Sequence, residues 1–334
     1  MKTIKLKKIV IKILKKNGFN NYNAKLIAEI LIYAEFVNAS SHGVSRLSMY
    51  CNRIKKKLID PKGKIKIKNI SNNISLIDSN NNIGFIGAYA GIKQSIAKAK
   101  KYGVSLVAVK NSGHYGLSSY YIDKAVKSNL ISFCFTNAPP AIAPYGAKKS
   151  LFGTNPIAFG APIKNKPAFI FDSSMSKINR GKIRIAAKLG KKIPYGVALD
   201  KFGKITTDPK KALKGVQLPI SDFKGSGLAW MVDILSGVLT GSAHGGSVKD
   251  PFEDFTGPQN IGHLFIAFKA NLFVKDFSKR ILNNIKKVKK LPKKKGVREI
   301  MYPGQSKYQR YKKNKKKDIN LPKKIYDELQ NLLK

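Results

Sequence analysis

"VSLVAVKNSGHYGLSSYYIDKAVKSNLISFCFTNA", residues 104–138, carries the pattern on which the fold turns. An apolar strand ends in a turn at Asn111–Gly113, a helix follows His114, and a second apolar strand starts at Leu130. Such alternation predicts a mixed α/β protein. At a strand-to-helix turn of this kind an ordinary dinucleotide site places G-x-G-x-x-G, because glycines let the backbone approach a pyrophosphate. The chain has no such run after a strand and no G-x-x-x-x-G-K-[ST]. Neither an ordinary Rossmann site nor a P-loop is supported.

The flanking segments continue the alternation. "MKTIKLKKIVIKILKKNG" reads as an amphipathic helix ended by Asn17–Gly18, and "AKLIAEILIYAEFV" keeps helical periodicity. "KIKIKNISNNISLID" alternates as strands do, and "GAYAGIKQSIAKAKKYG" is a helix with a glycine terminator. Downstream, "APPAIAPYGAKKSLFGTNPIAFGAP" predicts loops joining short strands, and "PAFIFDSSMS" a strand. "KGSGLAWMVDILSGVLTG" is so apolar that its helix is expected in the interior. "IGHLFIAFKA" is a further strand. A lysine-rich helix follows residue 275, then "MYPGQS", a basic stretch, and a last helix "LPKKIYDELQNLLK". There are no internal repeats.

The 334 residues are 43% hydrophobic, a globular composition. Lys+Arg 64 against Asp+Glu 18 gives a formal net charge of +46, which invites a nucleic-acid or anionic-membrane reading. The lysines are spread along nearly the whole chain beside abundant Asn and Ile, however, as AT-rich codons would produce. No zinc-finger, RNP or helix-turn-helix pattern supports a dedicated nucleic-acid function, though a basic binding protein stays the alternative from another class. Cys51 and Cys134 make no disulfide framework and no metal pattern, so buried thiols are expected. No apolar run is long enough to span a membrane, and lysines interrupt any signal-peptide core, so a cytoplasmic protein is expected.

Chemistry concentrates around two of the four histidines. In "NASSHGVSRLSMY", residues 38–50, His42, Arg46 and Tyr50 are spaced to share one helix face, with Ser40 or Ser41 as the cap. Arginine suits bidentate carboxylate capture, and a neighbouring imidazole moves a proton at neutral pH. His114 lies in "NSGHYG", directly after a strand. His244 and His263 keep the ordinary structural reading of a satisfied or solvated ring. "FKGSGLAW" opens a helix with two glycines and Lys224, which suits phosphate oxygens or plain close packing equally.

Together, "SSHGVSRL", "NSGHYG", "TNAPPAIAPYG", "FGTNPIAFGAP", "FDSSMS", "GVALDKFGKITTDP", "FKGSGLAWMVDILSGVLTG" and "YPGQ" resemble, in order, the malate/L-lactate dehydrogenase family. That group includes sulfolactate, ureidoglycolate and 2,3-diketogulonate oxidoreductases and is distinct from the Rossmann-type enzymes. The resemblance runs from about residue 5 to the end of the chain. It implies a non-Rossmann fold with a cofactor domain on a largely antiparallel sheet, residues 116–299. Residues 1–115 with 300–334 would form a helical substrate domain. It also implies NAD or NADP as cofactor, a small carboxylate substrate and a homodimer.

By the same resemblance, His42 and His114 are the candidate proton donors or acceptors, with His42 preferred, and Arg46 holds the substrate carboxylate with Tyr50 lining the pocket. Ala138, Asp172, Ser173, Ser174, Lys224, Gly225, Gly304, Gln305 and Ser306 match cofactor contacts, and no metal is expected. Two departures stand out. "DSS" replaces the usual Asp-Met-Ala, and "QLPISDFKGSG" lacks the Gly-Gly commonly found before the lysine. The ending "MYPGQS" looks most like the ureidoglycolate branch, and a cyclic imine reductase is a further alternative on this scaffold.

Overall fold

The computed structural model describes residues 1–334. Its helices are α1 Thr3–Lys16, α2 Asn21–Phe36, α3 Leu47–Lys55, α4 Gly84–Tyr102, α5 Ser118–Lys127, α6 Arg180–Lys188, α7 Pro209–Leu213, α8 Phe223–Asp233, α9 Phe277–Lys289, α10 Gln305–Lys315 and α11 Lys323–Leu333. Its strands are β1 Lys66–Asn69, β2 Ile74–Asp78, β3 Val104–Ser112, β4 Leu130–Thr136, β5 Ile157–Ala161, β6 Phe169–Ser173, β7 Ala198–Leu199, β8 Val216–Gln217 and β9 Ile261–Lys269.

Seven strands form one sheet in the order β1-β2-β3-β9-β4-β5-β6. Only β2 and β3 pair in parallel; every other neighbouring pair is antiparallel. The opening stretch is the β3-α5-β4 unit, but its two strands are not neighbours. The late strand β9 inserts between them, with His263 opposite Val109 on one side and Thr136 on the other. This is the largely antiparallel sheet the resemblance implied.

Antiparallel pairing also fixes direction. β3, β4 and β6 point the same way, so their C-terminal ends share one edge of the sheet, where β9 begins. The turns after those strands carry His114, Ala138 and Ser174, and Asp172 sits near the end of β6.

One cluster of 41 buried residues joins this sheet to α1, α2, α4, α5 and α11, whereas the clusters elsewhere hold only three to five. α1 contributes Leu6, Val10, Ile13 and Leu14, the apolar stripe its spacing predicts. Helices from both ends of the sequence meet in this layer: Leu329 of α11 shares the cluster with Leu6, and the Met1 amino group donates to the Ile319 carbonyl at 2.8 Å. Cys51 and Cys134 are free and buried.

Two expectations are corrected. First, His42, Arg46 and Tyr50 do not lie on one helix. Ser40–His42 and Val44–Arg46 are separate 3-10 turns, broken at Gly43, and α3 begins only at Leu47. The cause is Glu35, buried in α2, whose carboxylate accepts the Val44 N–H at 2.9 Å and the Ser40 hydroxyl at 2.5 Å. A Cβ at residue 43 would sit 2.0 Å from that carboxylate, so a side chain there would displace the group that fixes the turn. Ser40 is therefore tied to Glu35, and Ser41 bonds the His42 ring rather than capping a helix.

Second, α8 is not interior. It buries a narrow face of Gly225, Ser226, Ala229 and Val232 and leaves Phe223 71% and Trp230 57% exposed. Met231, Ile234, Val238 and Leu239 extend the exposed apolar face. The basic stretch after "MYPGQS", to which the sequence assigned no element, is helical: α10 docks Tyr311 against the rings of Tyr33 and Phe36.

Candidate active site

The two imidazoles expected to matter lie face to face. The rings of His42 and His114 are 5.7 Å apart at 28°, although one belongs to the turn after α2 and the other to the turn after β3. Each ring is held by Nδ1. The Ser41 hydroxyl is 3.0 Å from Nδ1 of His42, and the Tyr50 hydroxyl is 2.6 Å from Nδ1 of His114. Neither Nε2 has a protein partner. Tyr50 is fully buried against Phe85, and burial raises its pKa, so it keeps its proton. Where Tyr50 is the donor, the neutral His114 ring carries its proton on Nε2.

Burial also sets the charge of both rings. Desolvation and then the Arg46 charge lower the His42 pKa to about 4, and the same two causes lead in lowering His114 well below its ordinary value. Both are neutral at pH 7. Arg46 donates from Nε to the Ser41 carbonyl at 2.6 Å, and its guanidinium lies 4.9 Å above the Phe252 ring. Its two terminal nitrogens have no protein acceptor, which leaves a fork open for an anion.

Near enough to act on the charge of His42, the Asp172 carboxylate accepts the Ser119 N–H at 3.0 Å, at the start of α5. Lys307 bonds both Asp172, at 3.2 Å, and the Ser119 hydroxyl, at 3.0 Å. Asp172 favours a protonated His42 and Lys307 opposes it.

His42, Arg46, Tyr50, His114 and Asp172 are thus brought together. The remaining expected residues are placed as follows. Ala138 N–H is taken by the Asn155 side chain at 3.1 Å, and the Ser173 hydroxyl bonds the Ser174 carbonyl at 3.1 Å. Lys224 is exposed on α8, and no hydrogen bond, ion pair or ring contact joins it to the histidines. Gly225 is required by packing, since a Cβ there would lie 1.8 Å from the Ile220 carbonyl oxygen. Ser221 and Asp222, in the approach to α8 that lacks Gly-Gly, keep a glycine-like backbone with φ of 48° and 52°.

The head of α10 fits a nucleotide cofactor. Gly304 has φ +94°, no side chain caps the helix, and the buried Gln305 Oε1 has no partner. The Ser306 hydroxyl bonds only Arg310, at 3.2 Å. An orphaned acceptor and free helix N–H groups suit hydroxyl and phosphate groups. Gly304 and Lys307 of this segment line a cavity of about 660 Å³ together with Tyr33, Tyr120, Ile170 and Tyr311 among others. Lys307 belongs to both this cavity and the Asp172 pair beside His42.

The other histidines are structural. His263 is fully buried with both ring nitrogens bonded, to Thr136 at 2.8 Å and Ser112 at 2.9 Å, and burial lowers its pKa to about 3. His244 bonds the Ser242 carbonyl at 3.1 Å.

Sequence reasoning missed Glu35, Lys307 and Phe252, and with them Arg184, whose guanidinium is 5.5 Å from the same Phe252 ring. Glu35 had a signal, a lone acid beside the end of an apolar helix. The other three had none.

A largely antiparallel seven-stranded sheet with paired imidazoles at one edge defines a dehydrogenase scaffold outside the Rossmann class. The solved sulfolactate dehydrogenase of Methanocaldococcus jannaschii matches it with a TM-score of 0.93 at 34% identity, covering 99% of this chain and 96% of that one. The malate/(S)-sulfolactate dehydrogenase of Methanothermus fervidus is 36% identical over 329 residues, 97% of this chain and 94% of that protein. The ureidoglycolate dehydrogenase (NAD(+)) of Escherichia coli O157:H7 is 30% identical over 290 residues, 86% of this chain and 82% of that protein. Residues 1–330 match the malate/L-lactate dehydrogenase family, and the chain belongs to it.

Proposed function

We propose that this dehydrogenase transfers a hydride between NAD or NADP and a small 2-hydroxy or 2-oxo acid of the malate, lactate or sulfolactate type. The observation that carries the reading is the open fork of Arg46 beside two neutral imidazoles with unpartnered Nε2 atoms. Arg46 binds the substrate carboxylate, which fixes the neighbouring carbon and its oxygen between the rings. In the oxidative direction, neutral His42 accepts the hydroxyl proton at Nε2, with Tyr50-held His114 donating a hydrogen bond to the same oxygen. The roles of the histidines exchange if His114 is the base. The nicotinamide, when bound, supplies or accepts the hydride.

Cofactor contacts fall to Ala138, Asp172, Ser173 and Ser174 at the sheet edge, to Gly304, Gln305 and Ser306 at the cavity, and to Lys224 and Gly225 on α8. Residues 116–299 would form the cofactor side and residues 1–115 with 300–334 the substrate side, with the sheet spanning both. The exposed face of α8 supports a homodimer, because an apolar surface around Phe223 and Trp230 calls for a covering partner. No helix is long and apolar enough to cross a membrane. Two free, buried cysteines and no disulfide accord with a reducing, cytoplasmic setting.

The test mixes purified protein with NADH or NADPH and pyruvate, oxaloacetate or sulfopyruvate, following loss of reduced-cofactor absorbance. The reverse reaction uses ureidoglycolate with NAD, the second reading favoured by "MYPGQS". Turnover of a 2-oxo acid is expected; turnover of ureidoglycolate alone would replace the first reading, and no turnover at all would overturn both.

A further inference from the structure

We propose that Arg184 is a specificity residue that selects substrates bearing a second acidic group, acting with Arg46 across the ring of Phe252. The proposal rests on the function proposed above and deepens it, from 2-oxo acids in general to dianionic ones.

Three segments far apart in sequence converge here. Arg46 comes from the turn before α3, Arg184 from α6, and Phe252 from the loop before β9. Both guanidiniums address one ring, Arg46 at 4.9 Å and Arg184 at 5.5 Å. α6 is anchored for this purpose. The Asn179 side chain caps its first turn at 2.8 Å, and Arg180 bonds the Leu213 carbonyl at 3.1 Å. A Cβ on Gly181 would lie 3.8 Å from Ser41, the residue whose carbonyl holds Arg46. The Phe252 loop is fixed from below by fully buried Arg53, which bonds the carbonyls of Asp254 and Gly257 at 2.9 Å each.

The charges are not balanced by the protein. Arg184 makes no hydrogen bond or ion pair. Asp250, the acid that acts on Arg46, spends one carboxylate oxygen on the N–H groups of Phe252 and Glu253, at 2.8 and 3.1 Å. Burial and then the Arg184 charge are the two influences that disfavour charge on Arg46. Two like charges held around one aromatic wall favour an anion with two negative ends, because each end answers one guanidinium and relieves their repulsion. A monoanion such as pyruvate satisfies only Arg46. A four-carbon dicarboxylate, or a three-carbon acid ending in a sulfonate, satisfies both.

The experiment compares kcat and KM of the wild-type enzyme, R184Q and R184K on oxaloacetate, sulfopyruvate and pyruvate, with thermal melts as a control for folding. R184Q is expected to lower kcat/KM about 10- to 100-fold for the two dianions, mainly through KM, as the loss of one charge-assisted contact implies. Pyruvate should lose far less than either dianion, and R184K should recover part of the loss. Equal losses for pyruvate and the dianions, or none for either, would overturn the clamp while leaving the 2-oxo acid reading intact. Wild-type inactivity on all three acids would instead overturn that reading, and the clamp with it.

Discussion

The turn that carries His42 and the helix that carries Lys224 are built in opposite ways. The first stands on the large cluster shared by α1, α2, α4, α5 and the sheet. Val44, Leu47 and Tyr50 are buried in it, and Glu35 locks the backbone at Gly43. The second stands on small satellite clusters, enters through two left-handed non-glycine residues and shows its large apolar side chains to solvent. The first is a wall of the site finished within a single chain. The second has the composition of an interior and the exposure of a surface, so its completion depends on what covers it.

The sharpest break of this contrast is at His42. If the finished wall holds the acid–base group, His42→Ala lowers turnover about 10²- to 10⁴-fold while cofactor binding, followed by fluorescence titration, is retained. Unchanged turnover would hand the role to His114 alone. Next in size is the pH profile of the oxidative direction. The lowered His42 pKa means that the neutral, proton-accepting form persists to low pH, so kcat/KM should stay level from pH 8 to about 5 and fall about tenfold per unit below 4. A fall centred near 6.5 would mean an ordinary, unburied imidazole.

The unfinished face of α8 is tested by Trp230→Glu. It should weaken self-association by about 2–4 kcal/mol, read as monomers in sedimentation at concentrations where wild type is dimeric. Wild-type monomers with full activity would break the comparison outright. The smallest effect is expected at the entrance to α8. Asp222 sits at φ 52°, ψ −111°, where a Cβ is strained, and its exposed ion pair with Lys177 adds little. Asp222→Gly should therefore stabilise the fold by about 1 kcal/mol, measured by urea denaturation.

How much of this was legible depends on distance along the chain. α1, α2, α4, α5, β3, β4 and β9 follow from local periodicity, because each buries one stripe or two faces in the large cluster. The class of sheet followed from resemblance, but its strand order did not follow from periodicity, since nothing in "IGHLFIAFKA" says that it separates β3 from β4. The Gly43 break was hidden for the same reason: its cause, Glu35, lies eight residues earlier on another helix. α10 has no apolar stripe, and it is held by Tyr311 and by Asn314 bonding the Phe36 carbonyl at 2.9 Å. Amphipathic reasoning has no purchase on such a helix. For α8 the composition was read correctly and the conclusion was wrong, because all-round hydrophobicity does not say whose interior a helix belongs to. Among the site residues, those inside short motifs were found. Lys307, Phe252 and Arg184 were not, as each reaches the site only through tertiary folding.

Trp230 has a practical consequence. It is the only tryptophan in 334 residues, and it stands in water on the face of α8. An indole's emission shifts to the blue when water leaves it, so every change at that face is reported by one chromophore without a label. Reduced nicotinamide absorbs where tryptophan emits, so quenching of the same signal measures how near the cofactor comes. Dilution and cofactor titration, read in one cuvette, separate the covering of α8 from the filling of the site.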